Sequence, residues 1–198
     1  MEKIKKILIG TNNPGKYSEI CDLLPKEIEK FSPKKLNIKS PEETGASFEE
    51  NSFIKASYFS KKTNLICLSD DSGLEIDILN GRPGIYSSRW GGKNKNFNLA
   101  IEKVFQEIDK IKKNWKNDCK ARFVCCMTLC WPNGKSFSSE GIITGKISLT
   151  KKGSNGFGYD PIFVADGYSQ TFGEMNPKLK MSIDHRSKAF KKFQNYFS

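Results

Sequence analysis

No stretch of this chain of 198 residues approaches the roughly 20 apolar residues that a membrane-spanning helix requires. The opening residues, Met1 to Lys6, lead only a short apolar stretch before Gly10, with no small-residue cleavage site. They are read as the start of a first strand and not as a signal peptide. Six cysteines are present, Cys21, Cys67, Cys119, Cys125, Cys126 and Cys130, but no CxxC pair, and the chain holds a single histidine, His185. Zinc sites and disulfide frameworks need regular ligand spacing, so these are expected to be reduced, mostly buried thiols of a cytosolic protein. The GxxxxGK[ST] spacing of a P-loop is missing as well, and there is no internal repeat, linker or low-complexity block.

At this length a sizeable core is available without covalent staples, since folding buries roughly 70% of the surface exposed by the unfolded chain. The formal net charge is +11 and the pI about 9.3. Such a balance suits either attraction of anionic partners, nucleotides or nucleic acid, or a solvated surface rich in lysine. The even spread of the basic residues, and a Lys-rich stretch from Lys110 to Lys120 that reads as an exposed loop, fit the second.

The element pattern predicts a single α/β unit over residues 1–198 with a mixed sheet. Ile4 to Gly10 reads as a strand, and Asn13-Pro14 as the N-cap and first position of a helix from Lys16 to Leu24. Pro33 to Ile38 can hold a second strand. Ser47-Phe48-Glu49-Glu50 is a capping box for a helix to about Thr63, with Phe48, Ile54, Ala56 and Phe59 able to face a core while Lys55 points elsewhere. Leu65 to Leu68 reads as a strand ending at Ser69-Asp70-Asp71-Ser72-Gly73, which sets an acid pair at a strand end. Leu74, Ile76 and Ile78 then alternate with polar residues up to the turn Asn80-Gly81. A loop follows to Lys95, and a helix from Phe97 to Ile111. Two strands, Ala121 to Trp131 and Ser136 to Ile147, are joined at Pro132-Asn133-Gly134 as a hairpin. Gly153 to Gly158 is a glycine-rich loop, Pro161 to Val164 a short strand, and Asp184 caps a closing helix to Tyr196.

Three segments carry chemistry. Thr11, Asn12, Asn13, Pro14, Gly15 and Lys16 form a polar loop between strand and helix, which is either an ordinary capped helix start or a place where backbone N–H groups and Lys16 hold phosphate. Asp70 and Asp71, with Glu42 and Glu43 as possible partners, are either turn formers or hard oxygen ligands of the kind Mg²⁺ takes alongside water and phosphate. Phe157, Gly158, Tyr159 and Asp160, and the basic run from Lys180 to Arg186, either pack structurally or offer an aromatic face and several donors to a base.

In this order the segments TNNPGK, EETGASFEENSFIKA, DDSGLEIDILNGRPGIYSSR, ARFVC, GFGYDPIF and HRSKA resemble the inosine triphosphate pyrophosphatase family from about Ile7 to Ala189. The resemblance implies a homodimeric, cytosolic α/β hydrolase with an elongated mixed sheet flanked by helices, and two lobes around a substrate cleft. It implies cleavage of inosine, deoxyinosine or xanthosine triphosphate to the monophosphate and pyrophosphate. It assigns Thr11 to Lys16 and Lys55 to the triphosphate, and Glu42 and Asp71 to Mg²⁺, with Mn²⁺ as a substitute. Asp71 matches the general base, Ser72 a substrate contact, and Phe157 to Asp160, Lys180, His185 and Arg186 the base pocket. Asp184 stands where the family usually has serine. A purine nucleoside triphosphate is the expected partner, with no membrane and no specific nucleic acid. A pyrophosphatase of other base specificity and a basic nucleic-acid-binding protein are the rival readings.

Overall fold

The computed structural model describes residues 3–113, 115 and 119–197. Its six strands form one sheet in the order β2-β1-β3-β4-β5-β6. They are β1 Lys6–Ile9, β2 Glu29–Phe31, β3 Cys67–Ile76, β4 Lys120–Cys130, β5 Ser136–Ile147 and β6 Phe163–Ala165. The pair β1 and β2 is parallel, as is β1 with β3, whereas β5 and β6 run antiparallel, so the sheet is mixed. The α-helices are α1 Pro14–Leu23, α2 Phe48–Thr63, α3 Phe97–Ile111, α4 Pro177–Ile183, α5 His185–Lys191 and α6 Gln194–Phe197.

Two compact units divide the chain, one of Met1–Asp71, Cys125–Gly141 and His185–Ser198, the other of Ser72–Val124 and Ile142–Asp184. Strands β3, β4 and β5 begin in one and end in the other. Each unit has its own apolar core. In the first, Ile7 and Ile9 of β1 join Leu68, Cys125, Met127, Leu129, Phe190 and Phe193, while Leu8 turns to the opposite face with Phe59 and Cys67. That alternation is the period of two that a strand covered on both faces shows. In the second, Leu74 and Ile76 of β3 pack with Ala100, Ile101, Val104 and Ile108 of α3, and with Phe163 and Phe172.

Local chemistry explains most boundaries. Asn13 caps α1, its Oδ1 accepting from the N–H groups of Gly15 at 2.9 Å and Lys16 at 3.2 Å, with Pro14 first in the helix. Ser47 Oγ accepts from Glu50 N at 3.1 Å, and the Glu50 carboxylate reaches back to Ala46 N at 2.7 Å. This is the capping box displaced by one residue. Asn64 in the left-handed region closes α2.

The structure corrects several expectations. The second strand is Glu29–Phe31 and not residues 33–38. Pro33 has no N–H for a ladder, and its carbonyl instead accepts from Leu36 N and Ile38 N in a turn through Asn37, whose φ is 52°. Strand β3 does not end at the acids but runs through them to Ile76. The final strand starts at Phe163, after a 3₁₀ turn over Asp160–Ile162. Asp184 closes α4, a helix not anticipated, by donating its N–H to Lys180 O. The closing helix is split into α5 and α6, where the tighter bonds Phe193 N to Phe190 O and Tyr196 N to Phe193 O interrupt the α pattern. Of the stretch from Lys110 to Lys120, Lys110 belongs to α3 and Lys120 to β4. Trp115 and Cys119 are buried, and residues 114 and 116–118 lie outside the described residues.

Candidate functional site

An acid pair in the middle of a buried strand needs countercharge, and the first unit supplies it from three directions. Asp70 is fully buried. Its Oδ2 accepts from Lys16 Nζ at 3.1 Å and from an Arg186 amino group at 3.2 Å. Arg186, itself 1% exposed, also donates to Glu19 on α1. Burial alone would push the Asp70 carboxyl up. Lys16, Arg186 and Lys55 reverse this and hold it well below the usual carboxylate range. Strand β3 can therefore carry this charge through the core.

Asp71, the next residue, points to α2. Its Oδ1 accepts from Lys55 Nζ at 3.2 Å and its Oδ2 from Asn51 Nδ2 at 3.4 Å. Lys55 also donates to Glu43 Oε1 at 2.5 Å, so one ammonium holds two carboxylates. Lys55 was expected to point away from the core, yet it is 6% exposed. The helix face it shares with Asn51 and Ser52 is buried and polar. Burial would lower the Lys55 ammonium, but Asp71 and Glu43 hold it well above an ordinary lysine. Asp71 is pushed up, chiefly by burial against the pull of Lys55 and Lys16, with Glu43 and Asp70 adding to the rise. A carboxylate in that state is a better proton acceptor than an exposed aspartate.

The polar loop after β1 is partly committed to its own fold. Thr11 Oγ1 accepts from Asn13 N at 3.1 Å, and the N–H groups of Gly15 and Lys16 are held by Asn13. Asn12 is exposed and donates to Ser40 Oγ at 2.9 Å. Lys16 is the member of this segment that reaches the acids. Glu42 is exposed, and it is Glu43 that joins Asp71 through Lys55.

In the second unit the glycine-rich loop closes on Asp160. Its Oδ2 accepts from Phe157 N at 2.8 Å and from Lys180 Nζ at 2.7 Å. Lys180 also sits over the rings of Phe157, at 5.4 Å, and Phe172, at 5.5 Å. Gly156 has φ 72°, and a Cβ there would lie 2.0 Å from Asp160 Oδ2, so both conformation and space demand glycine. The Phe157 ring is partly exposed, whereas Tyr159 is buried, its hydroxyl donating to Ser87 O at 2.8 Å. The structure thus gathers Phe157, Asp160 and Lys180 into one cluster. It sets Lys16, Lys55 and Arg186 around the acid pair Asp70 and Asp71 of the other unit. His185 is buried at the start of α5, and Ser72 follows the acids on β3.

The sequence model of the Ham1 family matches residues 7–196, nearly the whole chain. The chain belongs to the Ham1 family. A dITP/XTP pyrophosphatase of Zymomonas mobilis is 43% identical over 187 residues, covering 94% of this chain and 88% of that one. A dITP/XTP pyrophosphatase of Bacillus cereus is 38% identical and covers 98% of this chain and 95% of its own. Among solved structures, a HAM1 protein from Coxiella burnetii superposes with a TM-score of 0.85 at 35% identity, covering 96% of each chain. The Staphylococcus aureus Ham1 protein gives a TM-score of 0.83 at 35% identity over 97% of each. These likenesses agree with the mixed α/β fold.

Nucleotide pyrophosphatases generally depend on a metal, and the donors that this Ham1 chain gathers around Lys55 are carboxylate oxygens. Among the described residues no group of three or more His, Cys, Asp or Glu side chains is arranged to hold an ion. Two carboxylates, Asp71 and Glu43, do converge on a single cation, the Lys55 ammonium. Mg²⁺ is commonly held by one or two carboxylates, with water and phosphate oxygens completing the shell. A dedicated zinc cage is not what these residues form.

Asn51 and Glu19 carry parts of this arrangement that the sequence reading did not assign. A signal existed for Asn51, since it precedes Lys55 by four residues and so shares its helix face. None existed for Glu19, which meets Arg186 across 167 positions of sequence.

Proposed function

We propose that this Ham1 protein hydrolyses the non-standard purine nucleotides ITP, dITP and XTP to the monophosphate and pyrophosphate, cleansing the nucleotide pool. The observation that carries the reading is the buried cluster in which Lys55 joins Asp71 to Glu43, in a chain closely related to dITP/XTP pyrophosphatases. Mg²⁺, with Mn²⁺ as a substitute, is the proposed cofactor, held by Asp71 and the Glu42-Glu43 pair. When bound, it neutralises phosphate charge and lowers the pKa of a coordinated water.

The chain's own groups do the rest. Asp71 takes the proton of the water that attacks the α-phosphorus, a role favoured by its raised pKa. Lys16 and Lys55 stabilise the negative charge of the departing pyrophosphate from preset positions. Thr11 to Gly15 line the phosphate side, and Ser72 contacts substrate beside Asp71. Phe157 stacks on the base, with Gly158, Tyr159 and Asp160 shaping that loop. Lys180, His185 and Arg186 supply donors for O6 of hypoxanthine or xanthine. Adenine presents a donor at that position and leaves the pocket's own donors unpaired, which costs binding. The protein acts as a homodimer in the cytosol.

Pyrophosphate release from ITP, XTP, dITP, GTP, ATP and pyrimidine triphosphates, with Mg²⁺ and with chelator, tests the reading. Release confined to ITP, dITP and XTP in the presence of Mg²⁺ supports it. Release from ATP at an equal rate contradicts the base assignment, and no release from any substrate contradicts the activity.

A further inference from the structure

Asn51 is fully buried, and a buried amide must place both its halves. Its Oδ1 accepts from Gly45 N at 2.9 Å, and its Nδ2 donates to Asp71 Oδ2 at 3.4 Å. The first bond fixes the sense of the amide, because only the oxygen can accept from an N–H. The nitrogen is thereby turned to Asp71. One helical turn later, Lys55 Nζ meets the other oxygen of the same carboxylate at 3.2 Å. Residues four apart on a helix lie side by side, so α2 grips Asp71 at both oxygens. Through Gly45, Asn51 also ties that grip to the loop that carries Glu42 and Glu43.

We infer that Asn51 is a positioning residue that sets the rotamer of Asp71 and its register against the loop bearing Glu42 and Glu43. The inference rests on the reading of Asp71 as general base and metal ligand. A carboxylate on a strand is otherwise free to turn about χ1 and χ2, and catalysis falls steeply with small errors of placement. Lys55 also links Asp71 to Glu43, but an ammonium on a flexible stem can follow a carboxylate through several rotamers. A planar amide locked at its far end cannot.

Two variants separate positioning from packing. Asn51→Asp keeps size and shape, and keeps an oxygen for Gly45 N, but replaces the donor facing Asp71 by a second carboxylate oxygen. Asn51→Ala removes both bonds. Steady-state pyrophosphate release is measured for the wild type and both variants, with Mn²⁺ binding to the nucleotide-free proteins followed by electron paramagnetic resonance, and with thermal melts. The expected result is a loss in kcat on the order of 10-fold or more in both variants with KM changed less than about 3-fold, the signature of a lost transition-state arrangement. Half-saturation by Mn²⁺ rises in Asn51→Ala. An Asn51→Asp enzyme with wild-type kcat overturns the inference, because the bond to Gly45 alone would then suffice. An Asn51→Asp protein with no folded state at 25 °C overturns it too, by making the residue purely structural. A wild type that releases no pyrophosphate from any substrate contradicts the proposed function, whereas an active wild type with unaffected variants contradicts only the role of Asn51.

Discussion

Lys55 Nζ lies 3.2 Å from Asp71 Oδ1, with each side chain only 7% exposed. A charged pair so far from solvent is stable while both partners remain, and removing one leaves a buried charge without compensation. Lys55→Met is therefore expected to destabilise the protein by about 3–5 kcal/mol, read from urea unfolding. It is also expected to abolish turnover of ITP. Unchanged stability would mean that Asp71 and Glu43 find other partners in the variant.

Asp71→Asn keeps the shape of the site and removes the proton acceptor. We expect a folded protein with kcat reduced on the order of 10²-fold or more. A folded variant that turns over at the wild-type rate would rule out Asp71 as the base.

Asp70 links the site to acid stability. Its carboxyl is held well below its unfolded value by Lys16, Arg186 and Lys55, against the opposing effect of burial. For a group with a depressed folded pKa, the stabilisation is complete above the unfolded pKa and is lost as pH falls towards the folded one. Unfolding free energy should therefore drop as the pH is lowered below about 4, the ordinary aspartate value. In Asp70→Asn that part of the acid slope should vanish. An equal slope in both proteins would show that other carboxylates govern acid unfolding.

Much of the fold was legible because local signals agree with the packing. The caps Asn13 and Ser47, the period of α3 and the Pro132 to Gly134 turn all lie where periodicity and turn chemistry set them. The misread elements have one cause in common, which is that distant partners decide them. Asp70 and Asp71 look like a strand end until Lys16, Arg186 and Lys55 neutralise them from elsewhere in the chain. Lys55 looks like a solvent residue until two carboxylates cover it. Helix α4 spans only Pro177–Ile183, with Lys180 its buried member, so it offers no apolar stripe to read. For the candidate site, residue types and order singled out the loop Thr11 to Lys16 and the acid pair, and the roles proposed for them rest on the family resemblance. Which glutamate of the Glu42-Glu43 pair meets Lys55, and that Arg186 lies on Asp70, needed coordinates.

Gly10 follows β1 where the chain passes close to β3. A Cβ at this position would lie 2.0 Å from Ser69 Oγ and 2.7 Å from Cys67 Sγ. Gly10→Ala should cost about 1–3 kcal/mol by overpacking, and Ser69→Ala in the same chain should return part of that loss. Additive effects of the two substitutions in a double-mutant cycle would contradict the contact.

The cysteines offer a check on the redox reading. Cys21 is partly exposed, and the other five are buried. Burial pushes the Cys67 thiol up to about 12 and that of Cys126 to about 11, so both hold little thiolate at pH 8. Titration of the native protein with a disulfide reagent should modify one thiol rapidly, and all six of the sequence only after denaturation. Rapid loss of several thiols in the native state would contradict the packing around β3 and β4.

On the proposed function, the acids around Lys55 serve metal-dependent removal of pyrophosphate from non-standard purine nucleotides. The most direct measurement is pyrophosphate release from ITP and ATP by the same wild-type preparation, with Mg²⁺ and then with excess chelator. Release from ITP should be rapid and stop with chelator, and release from ATP slower by at least about 10²-fold, well inside the roughly 10⁴–10⁵-fold discrimination that unpaired buried polar groups can reach. Chelator-resistant release, or equal rates on the two nucleotides, would contradict it.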